Sequence, residues 1–195
     1  VIVNKSVSLV GEDRDSTIID GNSIGSVITI TANNVNITGF TIRHSGDRWG
    51  DAGIYVDHSG GNCISYNNIT SNGHGIGLYS SSNNVISGNT ISSNKYDGIA
   101  LSVSSNNVIS GNTISSNKED GIGLYSSSNN VISGNTITNN DYGIGSLLGS
   151  KNNIIYLNNF NNTNQAWSES TNVWDDGNEG NYWSDYTGQD LNADG

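Results

Sequence analysis

The feature that most constrains this chain is a segment of about 23 residues that it repeats almost unchanged. The sequence NNVISGNTISSN begins at Asn83 and again at Asn106, and NNVISGNTITNN begins at Asn129. The same spacing separates one column of apolar residues: Val85, Val108, Val131 and Ile154. Self-similarity at a fixed period of this length is typical of stacked repeat architectures. The repeat therefore predicts one structural unit per period, with the units stacked on each other.

The composition of the repeat favours strands over helices. Its Ser, Asn, Thr, Gly and Ile residues are weak helix formers, and its apolar residues show no 3.6-residue period. Residues 76–79 and 89–92 instead alternate with period 2 between Gly, Asn and Ser turns. We therefore expect an all-β fold, a right-handed parallel β-helix of roughly eight coils of 22–23 residues. Neighbouring coils should lie about 4.8 Å apart.

Stacking places residues one repeat apart directly above each other, so each column of the repeat becomes a file in space. Four files are predicted to fill the core: Ile86/Ile109/Ile132/Ile155, Ile91/Ile114/Ile137/Phe160, Ile76/Ile99/Ile122/Ile144 and Leu78/Leu101/Leu124. Cys63 falls in the column of Val85. We expect it to be a small buried apolar residue rather than a catalytic thiol or a metal ligand.

Asparagine recurs with the same period. Three files are predicted at the corners of the coils: Asn67/Asn89/Asn112/Asn135/Asn158, Asn84/Asn107/Asn130/Asn153 and Asn72/Asn94/Asn117/Asn140. An inward amide can donate to the coil on one side and accept from the coil on the other, so a stack of amides satisfies itself. The repeated segment is therefore interpreted as a building block rather than an active site.

Charge and apolar content exclude several classes of protein. The 195 residues carry 18 acidic and 7 basic side chains, a net charge of −11, which argues against binding to nucleic acid. No apolar run reaches the length of a membrane span, and a single cysteine permits no intrachain disulfide. We expect a soluble protein located outside the cell or on its surface, whose export signal is absent from this sequence.

The C-terminal part differs from the repeats. Residues 1–164 are predicted to form the β-helix, most regular over 62–164, and residues 165–195 an aromatic and acidic cap. A cap is needed because an open β-helix ends in unpaired strand edges. Trp167, Trp174 and Trp183 are predicted to seal the last coil or to lie at a subunit contact. Flat flanks with few charges further predict self-association into an ordered array.

Three stretches of the chain carry a family resemblance. The opening VIVNKSVSLVGEDRDSTIIDGN, the NNVISGNTI coils and the ending NVWDDGNEGNYWSDYTGQDLNADG resemble NosD-like parallel β-helix repeat proteins of the carbohydrate-binding and sugar-hydrolase domain type, most of all secreted archaeal members. The resemblance covers nearly the whole chain. It implies the fold directly, but the group includes polysaccharide epimerases, lyases, factors for copper-enzyme maturation and surface proteins.

The enzymes of this group suggest a candidate catalytic site where the repeat is interrupted, around the stretch HSGDRWGDAG. Uronate-processing relatives use an Arg to bind the sugar carboxylate and a His or Tyr to move a proton. That pattern implies Arg43, His58 and Tyr55 as candidates. The Asp-Pro-His-Asp signature of related epimerases is missing, since only Asp57-His58-Ser59 is present and the chain has no proline. The alternative is a polar side loop without catalytic function.

The sequence carries candidate metal ligands at three places. Asp190, Asn192 and Asp194 match the first half of a calcium loop, D-x-N-x-D-G, so calcium is the predicted cofactor if there is one. Asp97 and Asp120 should stack one coil apart, held together by a cation or neutralised by Lys95 and Lys118. Copper is not favoured, because the chain has no Met and because His58 and His74 are 16 residues apart, out of step with the repeat.

A nearly bare outward strip is the last candidate site. Gly77, Ala100 and Gly123 share one outward file, with outward Tyr79 and Tyr125 beside it as stacking platforms for sugars. The sequence therefore predicts an extracellular structural or binding module that self-associates or binds a cell-surface glycan, without nucleic-acid or membrane partners. The alternatives are a dedicated carbohydrate-binding module and a uronate-polysaccharide lyase or epimerase.

Overall fold

The computed structural model describes residues 1–188 and folds them into a parallel β-helix. Each coil contributes one short strand to each of three sheets, and all strand pairs within the sheets are parallel. About eight coils are stacked, which confirms the predicted fold class. Among the described residues, no helix is long and apolar enough to cross a membrane.

Within residues 1–188 there are 23 strands, and β1 to β22 pass through sheets 1, 2 and 3 in turn, whereas β23 follows β22 directly in sheet 3. Sheet 1 contains β1 (Ile2–Val3), β4 (Ile28–Ile30), β7 (Ala52–Asp57), β10 (His74–Tyr79), β13 (Ile99–Ser102), β16 (Asp120–Tyr125), β19 (Tyr142–Leu147) and β22 (Asn164–Ser168). Sheet 2 contains β2 (Ser8–Val10), β5 (Asn36–Thr38), β8 (Cys63–Ser65), β11 (Val85–Ser87), β14 (Val108–Ser110), β17 (Val131–Ser133) and β20 (Ile154–Tyr156). Sheet 3 contains β3 (Ile18–Asp20), β6 (Thr41–Arg43), β9 (Asn68–Thr70), β12 (Thr90–Ser92), β15 (Thr113–Ser115), β18 (Thr136–Thr138), β21 (Asn159–Asn161) and β23 (Tyr182–Trp183).

The core lies between the three sheets and contains the four predicted apolar files, whose members are all buried. The prediction for Cys63 was wrong. Cys63 is half-buried on the outer face of sheet 2, and its neighbour Val85 is 38% exposed. Successive strand residues point to opposite faces, and the inward position of each coil is already taken by Ile64 or Ile86.

The asparagine files form the predicted ladders. In the ladder that contains Asn112, the Asn112 Nδ2 atom donates to Asn135 Oδ1 at 3.0 Å. Asn112 Oδ1 accepts from both the backbone and the side-chain amide of Asn89. A further ladder of buried serines, which was not predicted, occupies the corner between sheets 1 and 2: Ser81, Ser104, Ser127 and Ser150. In the described part of the chain, no buried side-chain nitrogen or oxygen lacks a partner.

The left-handed corner positions are adjacent to the ladder residues rather than identical with them. Asn83 has φ 62° and precedes the ladder residue Asn84, and Gly88 has φ 64° and precedes Asn89. Each corner therefore separates its two requirements. One residue adopts the positive φ that turns the chain, and the next directs its amide inward to satisfy the backbone of the turn.

Aromatic side chains pack against the C-terminal end of the core, and strand pairing continues into the region predicted as the cap. Strand β22 pairs with β19, so sheet 1 continues past residue 164 to Ser168. Beyond it, Trp174 and Trp183 pack against the core, and the Trp183 ring stacks on Phe160 at 4.7 Å between centroids. Trp167 is instead 53% exposed and lies on the outer face of sheet 1, opposite Gly145.

Candidate functional site

The outer face of sheet 1 carries one continuous file of paired residues, which we call the outer file. It contains Tyr55, Gly77, Ala100, Gly123, Gly145 and Trp167. Between β7 and β22 this file thus has an aromatic residue at each end and small residues between, and on the N-terminal side its register continues through Thr29 and Ile2. Small side chains lower the surface there, so that neighbouring large side chains stand above it as walls.

One wall is formed by residues 44–51, the stretch that interrupts the repeat, which we call the covering loop. Its Trp49 ring meets the His74 ring edge-on at 4.9 Å and lies 5.0 Å from the Tyr96 ring. Asp47 fastens the loop to a later coil, since its carboxylate lies 3.1 Å from Lys95 Nζ and its carbonyl accepts the Tyr96 hydroxyl. The loop is therefore held over the edge of sheet 1 by contacts two coils away.

Between the covering loop and the opposite edge of sheet 1 lies a cleft of about 460 Å³, which we call the aromatic cleft. Gly77 and Ala100 form its floor. Its walls combine aromatic rings with a few polar groups, from Trp49, Tyr55, His74, Tyr79, Ser102, Tyr125 and Leu148. Tyr79 stands at the rim and is 42% exposed, with its ring against that of His58 at 5.3 Å. The Gly77 and Ala100 part of the predicted bare strip therefore lies at the bottom of the aromatic cleft.

The strip is not open along its whole length. The Tyr125 ring lies across Gly123 and donates its hydroxyl to Asp97 Oδ2 at 3.1 Å. A Cβ atom at Gly123 would come within 2.8 Å of that ring and 2.7 Å of Asp97 Oδ2. Tyr125 is thus half-buried on the outer face, with its hydroxyl bound to Asp97, and Gly123 is required by the side chains that cross it. Tyr125 forms the end wall of the aromatic cleft.

A second, smaller cavity of about 240 Å³ lies beyond Tyr125 on the same face. It is lined by Asp120, Tyr142, Gly145, Leu147 and Trp167. The Asp120 carboxylate lies directly over Gly145, where a Cβ atom would collide with it. The two cavities follow each other along the outer file, each with an aromatic residue at its outer end.

Asp97, Asp120 and His74 are the buried ionisable groups of this face. The backbone amide of Asp97 donates to His74 Nδ1 at 3.2 Å, and that of Asp120 donates to Asp97 Oδ1 at 3.1 Å. Burial, with the nearby charge of Asp120, raises the pKa of Asp97 well above its usual range. Burial, with Glu119 and Asp141 nearby, raises the pKa of Asp120 to about 7. Burial lowers the pKa of His74 to about 4, so this imidazole is neutral at pH 7.

These shifts predict that the folded protein loses stability between pH 6.5 and 8. A carboxyl with a raised folded-state pKa stabilises fully below its unfolded pKa, and this contribution is lost as the pH rises through the folded value. His74 acts oppositely, but its contribution is complete above its unfolded pKa of about 6.5. Within this window only the two carboxyl groups still change the stability with pH. The melting temperature should therefore be lower at pH 8 than at pH 6.5, by about 3 °C or more.

The matched variant for this pH dependence is Asp97→Asn/Asp120→Asn. An asparagine is neutral and can still accept the amide and hydroxyl hydrogen bonds made to Asp97, so most of the decrease should disappear. Asp15→Asn, on the exposed surface of the first coil, should leave the decrease unchanged. A double variant whose melting temperature falls as steeply as that of the parent would contradict the role of these carboxyls.

The three predicted catalytic residues do not share one pocket. Arg43 belongs to sheet 3 and pairs with Asp20, with 3.0 Å between Nε and Oδ2. Tyr55 lines the aromatic cleft on sheet 1. His58 follows the same strand, lies 2.6 Å from Asp57 Oδ1, and borders a shallow depression on the other side of Tyr79. Arg43 therefore lies on a different sheet from Tyr55 and lines neither of the depressions that Tyr55 and His58 border.

The residues that the structure describes include only some of the predicted metal positions. Asp190, Asn192 and Asp194 lie outside the described residues. Within residues 1–188, no group of three or more His, Cys, Asp and Glu side chains converges as a metal site would require. Lys95 does not neutralise Asp97, because it pairs with Asp47 instead. The donor set also does not fit copper, since the three histidines are separately engaged with Asp20, Asp57 and Asp97, and Cys63 lies on another face.

Several residues of the site were not identified from sequence. Tyr96, Ser102 and Leu148 complete the walls around the aromatic cleft, and Tyr142 lines the second cavity. Each differs in kind from the residue one repeat away, as Tyr96 does from Glu119. These residues could therefore have been found in the sequence as positions near the sheet 1 strands where the repeat changes residue type.

Comparison with known proteins identifies the family and the fold. The family model described as "Periplasmic copper-binding protein (NosD)" matches residues 2–188. No protein of curated function matches the chain in sequence. Among solved structures, the periplasmic alginate epimerase AlgG is 28% identical over 68% of this chain, with a TM-score of 0.53. The chain spans only 35% of that structure's length.

Two further structures share the fold at lower identity. The Dettilon tailspike protein (gp208) is 18% identical over 82% of this chain and 41% of its own, with a TM-score of 0.63. An alginate lyase from Paenibacillus sp. str. FPU-7 is 17% identical over 81% of this chain and 67% of its own, with a TM-score of 0.53. At these identities the similarity establishes the parallel β-helix and leaves activity open.

Proposed function

The chain belongs to the NosD family, and we propose that it is a glycan-binding β-helix that works outside the cytoplasm, in the periplasm or at the cell surface. The aromatic cleft is the observation that carries this proposal. The location is supported by the periplasmic description of the family and of the similar epimerase. The copper named in the family description is not part of the proposal, because the donors of the described residues do not fit it.

The aromatic cleft has the chemistry that a sugar chain requires. The Tyr55, Tyr79 and Trp49 rings offer faces and edges for the C–H groups of a pyranose ring, and such aromatic contacts dominate binding energy where they are present. Ser102 and the tyrosine hydroxyls supply hydrogen bonds. Burial raises the pKa of Tyr55, so its hydroxyl stays protonated and able to donate. The floor of Gly77 and Ala100 lets a flat ring approach the sheet closely.

The same geometry favours binding over catalysis. A proton-abstracting base must have a free lone pair within reach of the substrate. His74 Nδ1 already accepts the Asp97 amide, so the neutral ring carries its proton on Nε2, and the side chain is buried. The raised pKa of Tyr55 makes it a poor base at neutral pH. In this proposal, His74 instead stabilises the covering loop through its ring contact with Trp49.

The decisive experiment measures glycan binding by the parent and by the variant Tyr55→Ala/Tyr79→Ala. A panel of immobilised polysaccharides identifies a ligand, and titration calorimetry then gives its affinity. Losing two ring contacts should weaken binding by about ten-fold or more. The matched control is Tyr66→Ala/Tyr186→Ala, which removes two tyrosines that are each 61% exposed and lie away from the cleft. Binding that is equal in all three proteins would refute the cleft as the binding site.

Self-assembly into an array, predicted from the sequence, stays a prediction. It concerns the ends and flanks of the rod rather than the aromatic cleft, and it is compatible with glycan binding. The association state of the parent protein in solution, measured by light scattering, tests it directly.

A further inference from the structure

We infer, building on the proposed glycan-binding function, that the aromatic cleft accepts a neutral glycan and rejects polyuronates. This inference separates the chain from the alginate-processing proteins whose fold it shares. It depends on which charges line the cleft and its neighbour along the outer file, and on where the nearby cations are bound.

The lining residues of both cavities, all within residues 1–188, include no Lys or Arg. His74 lines the aromatic cleft, but its lowered pKa leaves it uncharged near neutral pH. The basic groups on neighbouring segments are paired with acidic side chains or lie outside the lining. Lys118, two residues before Asp120, is exposed and does not line either cavity. Lys95 pairs with Asp47, Arg43 pairs with Asp20 on sheet 3, and Arg48 lies on the exposed covering loop beside Asp47. A uronate carboxylate in the cleft would therefore lose its hydration without gaining a cation.

Carboxyl groups under and beside the outer file strengthen this discrimination. Asp97 lies beneath Tyr125 at the end of the aromatic cleft, and Asp120 lines the second cavity. Both already resist ionisation because they are buried near other acidic groups. Above pH 7, where Asp120 ionises, a negatively charged polymer lying along the file would meet like charge. A neutral pyranose chain instead meets aromatic rings, small residues and hydroxyl groups, which it can contact without such a cost.

The test compares glycans that differ in charge but share a backbone. Polygalacturonate and its fully methyl-esterified form make one matched pair, and alginate with its carboxyl-reduced form makes another. Neutral β-glucan and mannan complete the panel. Binding is followed by the fluorescence of the tryptophans, of which Trp49 lines the cleft, at about 20 mM salt, where charge effects are least screened. The neutral member that binds should do so at least about ten-fold more tightly than any polyuronate.

A gain-of-function variant checks the same inference from the opposite direction. Ala100→Lys places one cation on the half-exposed floor of the cleft and should raise polyuronate affinity by about ten-fold or more. Ser110→Lys adds the same charge at a half-exposed position on sheet 2 and should not change that affinity.

The outcomes are distinguishable. If the parent binds a polyuronate as tightly as its neutral counterpart, and Tyr55→Ala/Tyr79→Ala weakens that binding, the inference is overturned while glycan binding stands. If no glycan of either class binds, or if the cleft variant binds as tightly as the parent, the proposed function fails and the inference fails with it. Preference for a neutral glycan, lost in the cleft variant, supports both.

Discussion

Replacing Asn112 with alanine is expected to lower the melting temperature by about 10 °C, since each kcal/mol lost shifts it by about 2–4 °C in a protein of this size. The Asn112 amide is buried and lies in the middle of a ladder. It donates to Asn135 Oδ1 and to the carbonyls of Ile86 and Ser110, and it accepts two hydrogen bonds from Asn89. Alanine would leave the buried Asn89 backbone amide without its partner and would remove one partner from each of the other groups. A buried group left unpaired costs about 1–3 kcal/mol.

The position in the stack increases the effect of this substitution. A solenoid is held together by contacts between neighbouring coils, so a break in a central coil weakens two interfaces at once. Asn159→Ala is the matched control, because it makes the same chemical change at an exposed position of β21 and should alter the melting temperature by about 2 °C or less. Calorimetric unfolding of both variants gives the measurement. Equal shifts in the two variants would show that the ladder contributes little to stability.

The parts of the fold that repeat were predictable because one pattern fixes many residues at once. The 23-residue period predicted which residues stack, and alternation along each strand identified the inward isoleucines. Cys63 was misassigned because both it and Ile64 are apolar, and composition alone does not show which of two neighbours faces inward. Alternation decides between the two residues. Ile64 pairs with Ile86, which points into the core, so the adjacent Cys63 must point outward.

The candidate site was less predictable, because it is built where the repeat is broken. The covering loop has no counterpart one period away, so its path over sheet 1 does not follow from stacking. Its attachment through Asp47 to Lys95 and Tyr96 joins residues 48 and 49 positions apart. The glycines of the outer file were recognised, but not what covers them. Asp97 leans over Gly123 and Asp120 over Gly145, and these contacts depend on side-chain direction rather than on register.

Removing the two inner cap tryptophans, by Trp174→Ala/Trp183→Ala, is expected to destabilise the C-terminal coils and to cause self-association. Trp183 stacks on the buried ring of Phe160 at an interplanar angle of 11°, and Trp174 lies 5.5 Å from Trp183. Loss of partly buried tryptophans that cover a core of this kind costs about 3 kcal/mol or more. The variant would also uncover Phe160 and the edges of the last strands, which are templates for pairing with another chain. Calorimetry and light scattering should show a lower melting temperature and larger particles.

The variant Trp167→Ala helps to distinguish the two predicted roles of the tryptophans, covering the last coil or forming a subunit contact. Trp167 is exposed and lies beside the second cavity, so its loss should change the melting temperature by about 2 °C or less and leave the particle size unchanged. The sequence grouped all three tryptophans together, whereas the structure places Trp167 on a different surface from Trp174 and Trp183. If the three residues instead formed a subunit contact, the parent would be oligomeric and the double variant would become smaller. If the double variant stays monomeric and has the same melting temperature as the parent, these rings do not seal the last coil.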